Sequence, residues 1–385
     1  MDMIYLDNEN VTKIDTEVLK FMEKYYLNKF GMPGGEFGHK YDEMAMDAIW
    51  KAREKIAKKI NAMPEEIIFT TGVTESNNLA IKGSVNYFSK HKGKAKIITS
   101  KIERKCILNS FKYLEEAGHE AIFVDVDENG HIKIEEIEKH AKNSFLISIH
   151  HANHEIGTLQ DIKAIGEIAM QENVLFHVDA THSFLKEKID IEKIGMDMMT
   201  ISGHVIHAPL SSGALFIREG IKLDPLFHGD AREFGFRAGH PNMPAIMGFS
   251  KAVELMKEEH IKKMRKMRNY LIKNLLSIED SKLNGDMNRV CNNVNISFKG
   301  VEGEAILMMA NEKGLILRTG SACYNPELKP SYVIRAIGGS MEDANSSTRL
   351  TLSRFNTMGE MEKTVKIIKE IIERLRALSP IYRIK

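Results

Sequence analysis

Residues 174–179 of this 385-residue chain read Val174-Leu175-Phe176-His177-Val178-Asp179, a short apolar run that ends in a carboxylate. Short runs rich in β-branched and aromatic residues are typical of buried β-strands. Similar runs recur up to Ile217, and segments with helical spacing of apolar residues, such as Tyr41–Asn61, lie between them. The predicted strands are 67–69, 96–100, 121–124, 145–149, 174–178, 196–201 and 214–217. Strands that alternate with helices predict an α/β fold with a mostly parallel sheet covered on both faces.

A second pattern begins near Glu254, where one long charged helix is predicted to run to Leu276. The chain is too long for one ordinary domain, so two domains are expected. Further predicted elements are strands 294–298, 315–318 and 348–352, a helix at 302–311, and a last helix that begins with Thr357 and Glu360 in capping-box spacing. We therefore expect a large domain at 16–257 and a smaller α/β domain formed by 1–15 with 258–385.

The composition argues against several classes of protein. Hydrophobic residues make up 43% and charged residues 28%, which is the balance of a globular protein. The formal net charge of +1 offers no basic excess for a nucleic-acid backbone. No apolar run is long enough to span a bilayer and no signal-peptide pattern is present, so we expect a cytoplasmic protein with no membrane partner. The three cysteines lie far apart, which argues against a disulfide framework.

Polar residues follow the predicted strands at the ends where ligands bind in open parallel sheets. Asn153 follows one strand, Asp179 ends another, and Ser202-Gly203-His204 ends a third. Gly72-Val73-Thr74 lies between a strand and a helix, where backbone N–H groups and a hydroxyl could hold a phosphate. A plain helix cap would have the same sequence, so this last segment alone leaves both interpretations open.

These motifs strongly resemble those of cysteine desulfurases, within the aminotransferase class V group of pyridoxal-phosphate (PLP) enzymes. The resemblance extends from Tyr5-Leu6-Asp7-Asn8 to Leu378-Ser379-Pro380. The matching segments between them are 71–78, 153–157, 177–181, 202–204, 319–323, 329–336 and 349–352. The resemblance implies the fold of PLP-dependent aminotransferases, in which a large domain carries the mostly parallel sheet and a smaller α/β domain follows. It also implies a homodimer with pockets at the subunit interface.

The resemblance assigns roles to the polar residues at the strand ends. Asp179 matches the carboxylate that keeps the ring nitrogen of PLP protonated and so strengthens the cofactor as an electron sink. Asn153 matches a residue near the ring hydroxyl and the substrate, and Arg349 matches the arginine that grips the substrate carboxylate. A structural salt bridge is the alternative interpretation of Arg349. The residues that match the other cofactor contacts are Gly72, Val73, Thr74, His182, Ser202, His204 and, from a neighbouring subunit, His240.

Cys323 matches the sulfur acceptor of the family, whose thiolate attacks the substrate sulfur and becomes a persulfide. The same thiolate could instead serve as a ligand of an iron–sulfur cluster shared with a partner. Cys106 and Cys291 are expected to be inert, buried residues. The tail at 378–382 resembles the region that docks an iron–sulfur scaffold protein, which predicts a scaffold or another sulfur acceptor as partner.

The sequence departs from the family pattern at the cofactor. The resemblance implies a lysine directly after Ser202-Gly203-His204, where it binds the PLP aldehyde, but this chain has Val205. Valine has no amine, so it can neither bind the aldehyde nor move the proton at the substrate Cα. Other departures are Arg104 for a histidine, His182 for a glutamine, His240 for a threonine, Glu9-Asn10-Val11 for a small hydroxyl-bearing run, and Ala208-Pro209-Leu210 where a second lysine is expected. Lys101, Lys105 and Lys186 are the candidate substitutes for the missing amine.

Three functions follow from these observations. The first is a degenerate desulfurase that still handles sulfur through Cys323 in iron–sulfur cluster assembly. The second is an active cysteine desulfurase that holds PLP without a covalent bond, with His204 or His207 moving protons. The third is a metal-binding pocket built from histidines. The histidines considered for it are His151, His154, His182, His204, His207 and His240.

Overall fold

The structure, a computed structural model, describes residues 3–33, 38–320, 330–379 and 382. Within these residues the strands are β1 (Ile4–Tyr5), β2 (Ile67–Thr70), β3 (Lys96–Ser100), β4 (Glu120–Val124), β5 (Leu146–His150), β6 (Leu175–Asp179), β7 (Met198–Ser202), β8 (Gly213–Ile217), β9 (Ser281–Leu283), β10 (Asn293–Phe298), β11 (Leu315–Ile316), β12 (Arg318–Thr319) and β13 (Ser347–Thr351).

The α-helices are α1 (Thr16–Leu27), α2 (Lys40–Ala57), α3 (Val73–Asn78), α4 (Ser84–Lys92), α5 (Lys105–Glu116), α6 (Ile134–Ala141), α7 (Ile162–Glu172), α8 (Ile191–Ile194), α9 (Met243–Leu255), α10 (Glu258–Leu275), α11 (Gly303–Glu312), α12 (Tyr332–Ala336), α13 (Met341–Ser346) and α14 (Met358–Leu378). A π-helical segment, Leu79–Gly83, joins α3 to α4. In the described part of the chain every helix is too short or too polar to span a bilayer.

Seven strands form the large sheet, in the order β2-β8-β7-β6-β5-β3-β4. The five strands from β4 to β7 pair in parallel, whereas β8 runs antiparallel to both of its neighbours. The prediction of a mostly parallel α/β sheet is confirmed. The register places Asp179 opposite His150 on one side and Thr200 on the other. Consequently the carboxyl ends of β5, β6 and β7 meet at one edge of the sheet, where the predicted site residues lie.

The C-terminal part carries a second, antiparallel sheet of four strands in the order β12-β13-β10-β9. The N-terminal strand β1 pairs in parallel with β11, and Asp7 bridges to Thr351. One buried core contains Ile4 and Leu6 together with residues between Met256 and Ile372. This core brings the N-terminal segment together with the C-terminal part, and the exact domain boundaries stay a prediction.

Two predicted elements are divided in the structure. The charged helix expected from Glu254 to Leu276 is interrupted, because α9 ends at Leu255 and Met256 is extended. A new N-terminus then forms at α10, where His260 Nδ1 accepts a hydrogen bond from the backbone N–H of Lys257 at 3.2 Å. The strand expected at 315–318 is also divided, since β11 pairs with β1 and β12 pairs with β13. Single-sequence patterns do not show such changes of partner.

Candidate active site

A small cup opens where β2 and β7 end. Gly72 has φ +130° and ψ −167°, a conformation that side chains rarely adopt, and it leads into α3. The backbone of β8 packs directly against it, since a Cβ on Gly213 would lie 2.6 Å from Gly72 Cα. The cavity beside Gly72 has a volume of about 160 Å³. Its lining residues are Thr71, Gly72, Val73, Thr74, Glu75, Ser202, His204, Leu210 and Ser211. The structure thus brings together the five predicted phosphate contacts that lie within one chain.

His204 contributes to this cup as a neutral ring. Its Nδ1 lies 2.7 Å from Ser202 Oγ, and Ser202 Oγ also donates to the carbonyl of Ser212 at 3.1 Å. Burial lowers the pKa of His204 to about 3, and the nearby positive charge of Arg104 acts in the same direction. Because Ser202 Oγ gives its proton to Ser212, His204 Nδ1 donates to Ser202 Oγ and the Nε2 of the neutral ring is an acceptor.

Asp179 lies buried at the end of β6. Its Oδ2 accepts a hydrogen bond from Asn77 Nδ2 at 2.9 Å, and its Oδ1 accepts one from the backbone N–H of Thr181 at 2.9 Å. Two neighbouring oxygens, Asn77 Oδ1 and Thr181 Oγ1, are buried and have no hydrogen-bond partner among the described residues. Buried polar atoms are normally paired, so these two oxygens are groups that a polar ligand beside the carboxylate would pair with.

Val205 follows the cup directly and closes a 3-10 turn, Gly203–Val205. Only 4% of its surface is exposed, and it belongs to the main apolar core. No reactive group lies at this position. The site therefore has the cup residues and Asp179, but residue 205 cannot form a covalent bond to a ligand.

A chain of buried polar groups crosses the pocket. The Arg104 guanidinium donates a hydrogen bond to His182 Nε2, and His182 Nδ1 lies 3.0 Å from Glu9 Oε1. Glu9 Oε2 accepts a hydrogen bond from Asn293 Nδ2 at 2.7 Å. Because a guanidinium has only donors, His182 Nε2 must be the acceptor and the proton of the neutral ring must be on Nδ1. Burial raises the pKa of Glu9 and lowers that of His182 well below its usual value.

The two predicted substrate contacts are held by protein groups in the structure. Arg349, on β13, donates to the carbonyl of His154 at 2.7 Å and lies 3.3 Å from Asp7 Oδ1. Asn153 donates to the carbonyl of Ile102 at 2.9 Å, and its Oδ1 accepts from two backbone N–H groups of the turn that follows. The salt-bridge interpretation of Arg349 is therefore observed, and its substrate role stays a prediction, as does that of Asn153.

Other predicted site residues lie apart from the cup. Cys323 falls outside the described residues. His240 is exposed and is not among the residues that line the cup, and its role from a neighbouring subunit stays a prediction. Cys291 is fully buried, as predicted, and burial raises the pKa of its thiol to about 11. Cys106 is partly buried, and burial raises its thiol pKa as well.

The structure gives no support to the histidine metal pocket. Among the described residues no three His, Cys, Asp or Glu side chains are arranged to hold a metal ion. The rings of His204 and His207 have separate partners, Ser202 Oγ for the first and the carbonyl of Lys13 at 2.8 Å for the second. His154 Nε2 lies 3.2 Å from the hydroxyl of Tyr332.

Comparison with known proteins places the chain in a family. The aminotransferase class-V model matches residues 4–363. Cysteine desulfurase IscS 1 of Archaeoglobus fulgidus is 41% identical over 387 residues, which cover 99% of this chain and 100% of that protein. The chain belongs to the cysteine desulfurase family. Another family member, cysteine desulfurase IscS of Methanosarcina thermophila, is 40% identical. The match covers 98% of this chain and 94% of that protein. The solved structure of a NifS-like protein superposes with a TM-score of 0.89 at 33% identity, covering 97% of this chain and 100% of that one.

The residues of this pocket fit the family's cofactor only in part. Proteins of the cysteine desulfurase family use PLP. The cup around Gly72, Ser202 and His204 suits a phosphate, and Asp179 with its unpaired neighbours suits a protonated ring nitrogen. Val205 suits no aldehyde. The cup and Asp179 thus fit the phosphate and the ring nitrogen, whereas position 205 does not fit the aldehyde.

Proposed function

We propose that this chain is a cysteine desulfurase-like protein that works in sulfur transfer and iron–sulfur cluster assembly through Cys323, with lysine-dependent desulfuration at position 205 lost. The observation that carries the proposal is the buried valine at 205, directly beside an otherwise well-formed phosphate cup. A positioned general base is typically worth roughly 10²–10⁴-fold in rate, so removing one leaves cysteine desulfuration very slow. The sulfur-handling thiol, in contrast, is still present in the sequence.

PLP, when bound, would supply an electron sink at the edge of the sheet. Asp179 would hold the proton on the ring nitrogen, because its buried carboxylate keeps two fixed hydrogen bonds and still faces unpaired polar atoms. The cup would orient the phosphate. Val205 can neither take nor return a proton, so no residue at this position connects the pocket to the substrate Cα.

Cys323 would act independently of that pocket chemistry. Its thiolate can attack the outer sulfur of a donor persulfide, whose own thiolate then leaves, or it can bind iron of a cluster that is being assembled on a scaffold protein. The proposed partner is such a scaffold or another sulfur-acceptor protein, docked against the C-terminal tail at 378–382. For the cluster, sulfide and iron are substrates and come from outside the chain.

Cluster assembly on a scaffold protein with iron and sulfide tests this proposal. We expect the wild-type chain to increase the rate or yield of cluster formation, measured by visible absorbance, and Cys323→Ala to lose that increase. Cys106→Ala is the matched control, because Cys106 is partly buried and its thiol pKa is raised by burial. Equal assembly by wild type and Cys323→Ala would disprove the proposal.

An active desulfurase with non-covalently held PLP is the second candidate function. The unpaired oxygens beside Asp179 and the intact cup favour it. The proposed proton carriers are His204 and His207, whose pKa values burial lowers to about 3 and about 4, so both rings are neutral but weakly basic at pH 7. An absorbance spectrum with added PLP and cysteine, together with an alanine assay, tests it. No PLP band and no alanine would eliminate this candidate.

We also propose a homodimer, as the resemblance implies. Its support is an open cavity of about 770 Å³ whose lining includes Met46, Trp50 and Phe234, all large, apolar and exposed in the single chain. Exposed apolar surface of this kind marks protein–protein contacts. Light scattering should give twice the mass of one chain, and Trp50→Asp should reduce it to one. A monomeric wild type would contradict the proposal.

A further inference from the structure

The cup beside Gly72 is lined by one charged side chain. Among the described residues that line it, Glu75 alone is charged at neutral pH, because burial keeps His204 a neutral ring. A phosphate monoester carries about 1.5 to 2 negative charges at pH 7. Its oxygens would therefore meet a carboxylate of the same sign in a partly enclosed site, where such repulsion is stronger than in water. A cup with this lining admits a phosphate only if the charge of Glu75 is compensated.

The compensating cation is Arg237, which is not among the residues that line the cup. Arg237 Nε donates to Glu75 Oε1 at 3.1 Å, and only 7% of the Glu75 side chain and 18% of the Arg237 side chain are exposed. Charges that are covered in this way are screened much less than exposed ones. Thr71 holds the other oxygen, since its backbone N–H donates to Glu75 Oε2 at 2.8 Å and its hydroxyl donates to the same atom. The carboxylate is thus fixed by the rim of the cup through one oxygen and by the guanidinium through the other.

The segment that carries Arg237 holds the guanidinium in place. Arg237 Nη1 donates to the carbonyl of His240 at 3.3 Å and lies 3.5 Å from that of Gly239. The backbone N–H of Gly239 in turn donates to Asp230 Oδ1 at 2.9 Å, and Asp230 has a cation of its own, Arg232, at 2.5 Å. One guanidinium and one carboxylate are therefore paired at the rim of the cup, and each is held by its own segment of the chain.

We propose that Arg237 is a positioning residue that lets the cup accept phosphorylated ligands, and that it acts through Glu75, whose negative charge it cancels. Without the guanidinium, the same lining would repel a phosphate ester but would still admit the ligand that lacks the phosphate. The proposal rests on the phosphate cup of the proposed function and deepens it, because it assigns the affinity for the anion to a residue outside the lining.

Titration of the full chain with pyridoxine phosphate, followed by the fluorescence of the ligand, tests the proposal. This ligand has no aldehyde and so cannot label lysines, and pyridoxine, which lacks the phosphate, is the matched ligand. We expect Arg237→Met to weaken binding of pyridoxine phosphate about fivefold or more, the lower end of the usual coupling between two sites, and to leave pyridoxine unchanged. Arg237→Lys should keep most of the affinity because it keeps the charge. An equal loss for both ligands would overturn the proposal, since it would mean a damaged pocket.

The sign of a second substitution separates charge from structure. Glu75→Gln removes the negative charge of the cup and should tighten binding of pyridoxine phosphate, whereas the loss of a merely structural ion pair would weaken it. The double variant with Glu75→Gln and Arg237→Met should return close to the wild-type affinity, because the two charges are removed together. Weaker binding by Glu75→Gln would overturn the proposal even if Arg237→Met failed to fold.

An ion pair elsewhere in the large domain supplies the control variant. Arg218 follows β8 and pairs with Glu192 at 2.7 Å, so Arg218→Met removes a paired arginine without changing the cup and should bind both ligands like the wild type. A wild type that does not bind pyridoxine phosphate would also overturn the proposal. That result would leave the cluster-assembly proposal intact, since it is measured on Cys323 with iron and sulfide.

Discussion

Val205 lies in a turn whose neighbours, Ile206 and Ala208, are as buried as it is. An apolar side chain at this point packs without cost, whereas an amine would need desolvation and a partner. The pocket around it is nevertheless polar, with Asp179, Ser202 and His204 in ordered positions. The apolar residue at 205 thus lies directly beside a polar pocket and gives it no amine.

Val205→Lys should restore covalent binding of PLP if the cup and Asp179 are competent. After addition of PLP we expect a visible absorbance band near that of a lysine-bound cofactor. The band should be absent from a variant whose residue 205 has no amine. Val205→Met is the matched control, with a long side chain and no nitrogen. If the Val205→Lys protein is colourless but folded, as judged by circular dichroism, the rest of the pocket has also lost the ability to bind PLP.

Glu155 should make stability depend on pH. Burial raises the pKa of this carboxyl to about 7, against a hydrogen bond that Ser331 Oγ donates to it. Between pH 4.5 and 7 the folded protein holds a proton that the unfolded chain releases, so the free energy of unfolding should fall as pH rises and level off above pH 7.

Glu155→Gln should remove this dependence, because an amide stays neutral. Urea unfolding at pH 5 and pH 8 measures the free energy of unfolding of both proteins. The value for the variant minus that for the wild type should be larger at pH 8 than at pH 5, by up to about 3 kcal/mol. The same difference between variant and wild type at both pH values would contradict the shift assigned to Glu155.

At the scale of elements, the last helix shows how local sequence signals fix a boundary. Thr357 Oγ1 accepts from the backbone N–H of Glu360 at 3.3 Å, and Glu360 Oε2 accepts from the backbone N–H of Thr357 at 2.7 Å. The capping box expected from the sequence is confirmed. It begins a helix of 21 residues that covers the core of the C-terminal part.

Thr357→Ala should lower the free energy of unfolding by about 1 kcal/mol, the usual cost of losing a capping hydroxyl. Urea denaturation measures this, and Thr357→Ser, which keeps the hydroxyl, should stay within a few tenths of the wild type. A Thr357→Ala protein as stable as the wild type would mean that packing alone starts the helix.

At the scale of the whole molecule, one arginine joins three distant segments. Arg354 follows β13, pairs with Asp15 before α1, and donates to the carbonyl of Leu255 at 2.9 Å at the end of α9. Asp15 also caps α1 by accepting from the backbone N–H of Glu17 at 2.7 Å. Arg354 and Asp15 are both buried, so each charge is stabilised mainly by the opposite charge of the other.

Arg354→Met should destabilise the protein by about 3–5 kcal/mol, because it leaves the Asp15 carboxylate buried without its cation. Adding Asp15→Asn should recover part of the loss, since asparagine still caps α1 and carries no charge. Equilibrium unfolding of the two variants tests this. A double variant no more stable than Arg354→Met would show that the hydrogen bond to Leu255 is the main contribution.

The sequence predicted the parts that depend on local pattern. Strands such as 174–178 and the polar residues at their ends follow from apolar runs and from the rule that parallel strands share a carboxyl edge. The contact between Glu9 and His182 could not be predicted, since nothing local links residues so far apart; the only signal was an acidic residue where the resemblance implied a small one. The break at Met256 was missed because charged residues continue on both sides of it.

The pairing of β1 with β11, and of Asp7 with Thr351, has a consequence for how the pocket is made. The segment that carries Glu9 is synthesised long before the strands with which it pairs. It can pair only after the C-terminal part of the chain has been made. Contacts of such large sequence separation form late and slowly. We therefore expect a newborn chain to complete its large sheet first and to seal the pocket only after the C-terminal strands have been synthesised.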